Sequence, residues 1–234
     1  MSYDMNSIYL RTMCGMCLES LSQYAKNILV FTTKQKDVSN FIKKYFPHIE
    51  VVYGDVLKGY TFNVGFKVYN LVNLKEPFIT LDADTYVFEN IQPMIDTLYD
   101  KPWASVPWNP IVNMGKLKRT LPIKTVLIGG THLCSDPDFL SWNKIKPYTH
   151  NTGEAGSFTA YFYHTYQQTK YDYLSTLDAT WNLSDGFFDK TEMINNKWKL
   201  NTNAQKRPVN IGHYHNDVWK KDINFFNYHL QKYT

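Results

Sequence analysis

Two carboxylates stand one residue apart at Asp82 and Asp84, directly after the apolar run Phe78 to Leu81. Alternate residues of a strand point to the same side, so a strand ending in this pair aims both acids one way. At that separation they repel, and one tends to keep its proton unless a cation intervenes. Hard oxygen ligands suit Mg²⁺ or Mn²⁺, ions that often bridge carboxylates to substrate phosphates. The spacing therefore predicts a metal–phosphate site. His213 and His215, two apart in a strand-like segment, are candidates to complete the ligand set. The plainer alternatives are a polar strand end with solvated acids and a core histidine satisfied by hydrogen bonds.

Three chemistries use such a motif. A calcium loop needs a third oxygen ligand and then glycine, and Tyr86 and Val87 fill those positions. A haloacid-dehalogenase-type phosphatase uses the first Asp as nucleophile, but its later Gly-Asp-x-x-x-Asp is missing here. A nucleotide-sugar glycosyltransferase uses the metal to neutralise a diphosphate leaving group. A separate motif, Cys14-Gly-Met-Cys17, has the spacing of a thiol–disulfide site at a helix start. Neither Pro47 nor Pro77 stands in the context that such a fold demands, so both cysteines are read as packing residues near a nucleotide pocket.

The elements that must position these residues alternate in the first half. Strands are predicted over "SIYLRTM", "ILVFTT", "IEVVYGD" and "FITLDAD". Helices are predicted over "CLESLSQYAKN", "KDVSNFIKKYF" and "NVGFKVYNLVNL". Such alternation argues for an α/β fold with a mainly parallel central sheet flanked by helices, whose ligands bind beyond the carboxyl ends of the strands. The second half is less regular. "PWASVPWN" and "TVLIGGTHLC" read as strands, "SFTAYFYHTYQQ" as a helix, and "PVNIGHYHND" as a late strand or loop before a polar tail. With 234 residues, 44% of them hydrophobic and 20% charged, the chain can bury a sizeable core as one domain. The net charge of +4 is spread along the chain, without the basic stripe of a nucleic-acid binder. No run of 18 apolar residues and no basic-then-apolar leader occurs, and three cysteines cannot all pair, so a cytoplasmic protein without a transmembrane segment is expected.

The segment "FKVYNLVNLKEPFITLDADTYVFENIQPMI" resembles the donor site of glycosyltransferase family 8, the glycogenin and bacterial galactosyltransferase family with the Rossmann-like GT-A fold. Lys67, Leu81 to Thr85 and Asn90-Ile91 carry the match. "LIGGTHLCSDPDF", "GEAGSFTAYFY", "LDATWNLSD" and "NIGHYHNDVWKKD" resemble later family segments more loosely. The resemblance implies one GT-A domain over 1–234, with a nucleotide-binding half (1–91) and an acceptor- and sugar-binding half (92–234) that ends in a metal-ligand motif. It implies Mn²⁺ or Mg²⁺ as cofactor, held by Asp82, Asp84 and His213 or His215. It implies a nucleotide-sugar donor, UDP-linked, touching Thr12, Lys67, Asp82, Gly130, Trp181, Asn182 and Lys220. Glu154 is the acid nearest to a catalytic position. The activity implied is sugar transfer to a hydroxyl of a glycan or glycoprotein. The rival readings are the phosphatase and a non-catalytic module that binds sugar nucleotides or glycans.

Overall fold

A computed structural model describes residues 8–33, 35–56, 62–97, 102–108, 126–149, 153–166, 174–176, 179–181, 191–200, 208–214 and 218–234. They form a mixed α/β structure. The chain falls into two compact units interleaved in sequence. One joins Ser2–Tyr53, Leu81–Pro93 and Ala179–Thr234, and the other joins Gly54–Thr80 and Met94–Asp178.

The first unit opens with helix α1 (Ile8–Leu21), where a strand and then a helix were expected. The β-branched and aromatic residues of "SIYLRTM" favour extended backbone. Every residue from Thr12 to Leu18 is buried, however, and a helix buried all round shows no amphipathic stripe to give it away. Strand β1 (Leu29–Thr32), helix α2 (Gln35–Tyr45) and strand β2 (Glu50–Tyr53) follow as predicted. Helix α2 places Val38, Phe41 and Ile42 in the core, one helical face at i, i+3 and i+4. Asp37 in its first turn and Lys43 and Lys44 in its last oppose the helix dipole. Crossing by α2 makes β1 and β2 parallel neighbours, as the alternation predicts.

The other unit holds helix α3 (Phe62–Val72) and a sheet ordered β3-β6-β5-β7. These strands are β3 (Phe78–Leu81, whose last residue opens the first unit's middle segment), β5 (Trp103–Trp108), β6 (Val126–Cys134) and β7 (Leu174–Thr176). β5 pairs antiparallel with β6 and parallel with β7. Short helices α4 (Gln92–Asp96) and α5 (Trp142–Ile145) precede the long helix α6 (Gly153–Tyr166). Trp103, Phe158, Tyr161 and Phe162 form the centre of this core.

The remaining strands belong to the first unit. β4 (Thr85–Val87) pairs antiparallel with β10 (Ile211–His213), and β8 (Thr191–Ile194) with β9 (Lys197–Leu200). The described sheets are thus small and mostly antiparallel, rather than one mainly parallel sheet. The alternation that argued for parallel pairing covers only the first half, and the later strands return as hairpin-like partners. The β8–β9 turn, Asn195-Asn196, has positive φ at both residues, the backbone that a two-residue hairpin favours.

The expected polar tail is instead helical, with α7 (Val218–Lys221) followed by α8 (Ile223–Tyr233). Phe225, Phe226, His229 and Tyr233 of α8 are buried, and α8 packs along α1. A Cβ on Gly15 would lie 2.5 Å from the Tyr233 ring, so this approach requires glycine in mid-helix despite its cost there. Among the described residues, no helix is long and apolar enough to cross a membrane.

An ionic knot closes the α1–α8 contact. Glu19 accepts hydrogen bonds from Lys232 Nζ at 2.7 Å and from the Tyr233 hydroxyl. His229 Nδ1 lies 3.4 Å away, near but not aligned as a hydrogen bond. Burial works to raise the Glu19 pKa. His229, Lys232 and Tyr233 overcome it and hold the carboxyl at about 2, below the ordinary 4.5. A depressed folded-state value stabilises the fold above the unfolded value, and that stability drains away as pH falls from about 5 towards 2. The full displacement is worth at most about 3 kcal/mol, and solvent at a partly exposed carboxylate cuts this to about 1–2 kcal/mol. Urea unfolding at pH 6 and pH 3 should therefore show Glu19→Gln with a flatter acid limb than the wild type. Parallel limbs would mean that the knot contributes nothing.

Candidate metal centre

β3 stops at Leu81, so Asp82 and Asp84 do not extend a strand. They sit on a tight turn, closed by the Thr85 amide donating to the Asp82 carbonyl at 3.1 Å. The Thr85 hydroxyl donates to the same carbonyl at 2.7 Å. The turn feeds β4, whose register sets Thr85 opposite His213 and Tyr86 opposite Gly212. The Tyr214 amide donates to the Asp84 carbonyl at 2.7 Å. That clip ties the second ligand's backbone to the residue after the histidine.

These constraints converge three side chains. His213 Nε2 is 3.2 Å from Asp84 Oδ1 and 3.6 Å from Asp82 Oδ2. One ligand atom from each residue lies within 4.8 Å of the others. Adjacent ligands on one octahedral ion at about 2.1 Å stand roughly 3.0 Å apart, so the set needs little adjustment to share a cation. Two carboxylate oxygens suit a hard ion such as Mn²⁺ or Mg²⁺, and the imidazole nitrogen favours Mn²⁺ of the two. The two aspartate side chains are a fifth and a quarter exposed, and His213 a tenth. The group is thus walled by protein yet reachable from solvent.

Helix α1 supports the motif from beneath. Cys17 Sγ reaches the Asp82 carbonyl at 3.6 Å and Thr85 Oγ1 at 3.5 Å. Ser20 Oγ donates to the Cys17 carbonyl and accepts from the Val87 amide, both at 3.0 Å. The two cysteines of the Cys-x-x-Cys spacing lie in the interior of α1, not at a helix start where a dipole would lower a thiol pKa. Burial pushes Cys14 up to about 12 and Cys17 up to about 11, which leaves both as inert thiols. On the far side of the strand pair, the Tyr214 hydroxyl meets Thr191 Oγ1 at 3.1 Å, and Thr191 donates from its amide to buried Asp222 at 2.9 Å. Burial, with Asp222 nearby, drives the Tyr214 phenol pKa well upward.

The other sequence-predicted residues are placed as follows. Thr12 lies within α1 rather than at a strand end, and its buried hydroxyl donates to the Ile8 carbonyl at 2.8 Å. Trp181 ends a 3-10 turn beside β10 and is 8% exposed, so most of its ring is committed to packing. Lys220 sits in α7 with Nζ 5.7 Å from the Trp219 ring centre. Lys67 in α3, Gly130 in β6 and Glu154 at the start of α6 belong to the other unit. Gly130 falls in the irregular stretch between the Ser105–His132 and Pro107–Leu127 pairs. The Glu154 side chain, Asn182 and His215 lie outside the described residues. Sequence reasoning missed Cys17 and Thr85 as supports of the turn. Thr85 immediately follows the Asp-x-Asp pair, and Cys17 and Ser20 stand one helical turn apart, the spacing that puts two side chains on one face.

No family model matches the chain, and no curated protein sequence matches it. Solved structures do. The apo form of mouse xyloside xylosyltransferase 1 aligns at 12% identity with a TM-score of 0.56, covering 90% of this chain and 93% of that one. The glycosyltransferase GlyE of Streptococcus pneumoniae TIGR4 aligns at 12% identity with a TM-score of 0.52, covering 97% of this chain and 61% of GlyE. At such identity the likeness is one of fold, and the chain is similar in fold to two glycosyltransferases.

Proposed function

We propose that the chain is a metal-dependent glycosyltransferase of the GT-A type, moving a sugar from a UDP-linked donor to a hydroxyl of a glycan or glycoprotein. The observation that carries this reading is the convergence of Asp82, Asp84 and His213 at cis-ligand distances. Likeness in fold to two glycosyltransferases supports it. A bound divalent cation would neutralise charge gathering on the departing diphosphate. Asp82 and Asp84 supply anionic oxygens. His213 supplies the Nε2 lone pair, which requires its ring proton on Nδ1. The resemblance adds Lys67, Gly130, Trp181, Asn182 and Lys220 as donor contacts, His215 as an alternative ligand and Glu154 as catalytic acid or base, while Thr12, fully buried and bonded within α1, offers no surface to a donor. The three free cysteines fit the reducing cytoplasm.

The test is calorimetric titration with UDP, first with Mn²⁺ and then with EDTA. Binding with metal alone is the expected result. Hydrolysis and transfer are then screened with UDP-glucose, UDP-galactose and, following the name of the mouse protein, UDP-xylose. Tight metal-dependent binding without turnover would indicate a binding module. Silence towards UDP, GDP and dTDP would sink the reading and direct the same sample to a phosphomonoester assay.

A further inference from the structure

We propose that Cys17 and Thr85 are positioning residues of the metal centre: the thiol from α1 and the hydroxyl from β4 together hold the Asp82 carbonyl, and through it the turn that presents both carboxylates. The inference rests on the metal reading above and gives the Cys-x-x-Cys segment a part that is not redox. The Asp82 carbonyl receives the Thr85 amide at 3.1 Å and the Thr85 hydroxyl at 2.7 Å. With its proton spent there, Thr85 Oγ1 has lone pairs left to accept from Cys17, whose single S–H spans Thr85 Oγ1 at 3.5 Å and the Asp82 carbonyl at 3.6 Å. Every proton in the arrangement has an acceptor.

Holding that carbonyl matters because only the Ala83 peptides separate the two ligands. Rotation of the Asp82–Ala83 peptide would swing one carboxylate away from the other. The Asp84 carbonyl is already fixed by the Tyr214 amide at 2.7 Å, so the Asp82 carbonyl is the second point that defines the turn. Thr85 also pairs with His213 across the β4–β10 ladder. One residue thus links the carboxylate turn to the strand that brings the imidazole. Ser20 fixes α1 against β4 through the Val87 amide and so keeps Cys17 in register with Thr85.

The test measures Mn²⁺ affinity by loss of the free-ion paramagnetic resonance signal, alongside thermal unfolding in EDTA. Partners one layer behind metal ligands typically change affinity by 10–100-fold, so Thr85→Val should weaken Mn²⁺ binding about 10-fold while Thr85→Ser stays within about 2-fold of wild type. Cys17→Ala should weaken binding in the same direction, and Cys17→Ser should restore it. Wild-type affinity in both Thr85→Val and Cys17→Ala overturns the inference. Equal losses in Thr85→Val and Thr85→Ser overturn it as well, because serine keeps the donor. Should Thr85→Val fail to fold, the Cys17→Ala and Cys17→Ser pair gives the answer. A wild type that binds no Mn²⁺ defeats the metal reading itself, a failure distinct from unchanged affinity in the variants.

Discussion

Asp84→Ala is expected to lower Mn²⁺ affinity by more than about 100-fold, beyond the 10–100-fold typical of residues that only support a ligand, and to abolish metal-dependent UDP binding. Asp84 offers the oxygen nearest to His213 Nε2, at 3.2 Å. Without it, Asp82 and His213 keep two ligands on a site open to water. The fold should survive, because the backbone clip from the Tyr214 amide to the Asp84 carbonyl remains when the Asp84–His213 side-chain bond is lost. The metal-free variant should melt close to wild type, since relief of the carboxylate repulsion offsets the lost Asp84–His213 hydrogen bond. Mn²⁺ titration with parallel melts in EDTA separates the two effects. Unchanged affinity would show that Asp84 is not a ligand.

Phe225→Ala should bring the largest loss of stability, about 3–5 kcal/mol, the range for deleting a buried phenylalanine. Phe225 is fully buried, and its ring meets Trp198 at 4.8 Å, Tyr86 at 5.0 Å and Tyr214 at 5.3 Å. Tyr86 lies on β4 and Tyr214 directly follows β10. The cavity would therefore open beneath β4, which follows the Asp-x-Asp turn, and β10, which carries His213, among aromatic neighbours too rigid to collapse into it. Denaturant unfolding gives the number. A loss below about 1 kcal/mol would mean that the site relaxes freely and that this cluster is not the support described.

The carboxylate pair and its histidine were legible because their chemistry is local and stark: two acids at i and i+2 after an apolar run, and a histidine near the far end. Their geometry was less so. The strand argument aimed the two acids to one side, and a turn achieves this instead, held by bonds from Thr85 and Cys17 that no periodicity encodes. Helices α2 and α3 and strands β1, β2, β5 and β6 matched expectation through their apolar patterns, and α6 did so although Gly156 to Phe162 are all buried. In helix α1 the first half, Ile8 to Met13, reads as a strand because its Ile and Tyr favour extended backbone and burial from Thr12 to Leu18 leaves no stripe to oppose that reading. Helix α8 failed for the opposite reason: its buried Phe225, Phe226, His229 and Tyr233 are interspersed with Asn, Gln and Lys, and a histidine in the apolar row disguises it. The Asn195-Asn196 turn was a readable hairpin signal that the first-half alternation overshadowed.

His213 meets Asp84 across 129 residues of chain, and Glu19 of α1 is bound by residues of α8 more than 200 positions later. Contacts of such separation close large loops and form late. On the ribosome, then, the Asp-x-Asp turn emerges long before His213 can complete it, and on the proposed metal reading an ion would be retained only once the β10 segment has been made. A chain released before His213 would carry the whole motif and still bind the ion weakly. On the proposed metal reading, Mn²⁺ retention would therefore report that the β10 segment has been made, and a product truncated before His213 would be recognisable by its weaker hold on the cation.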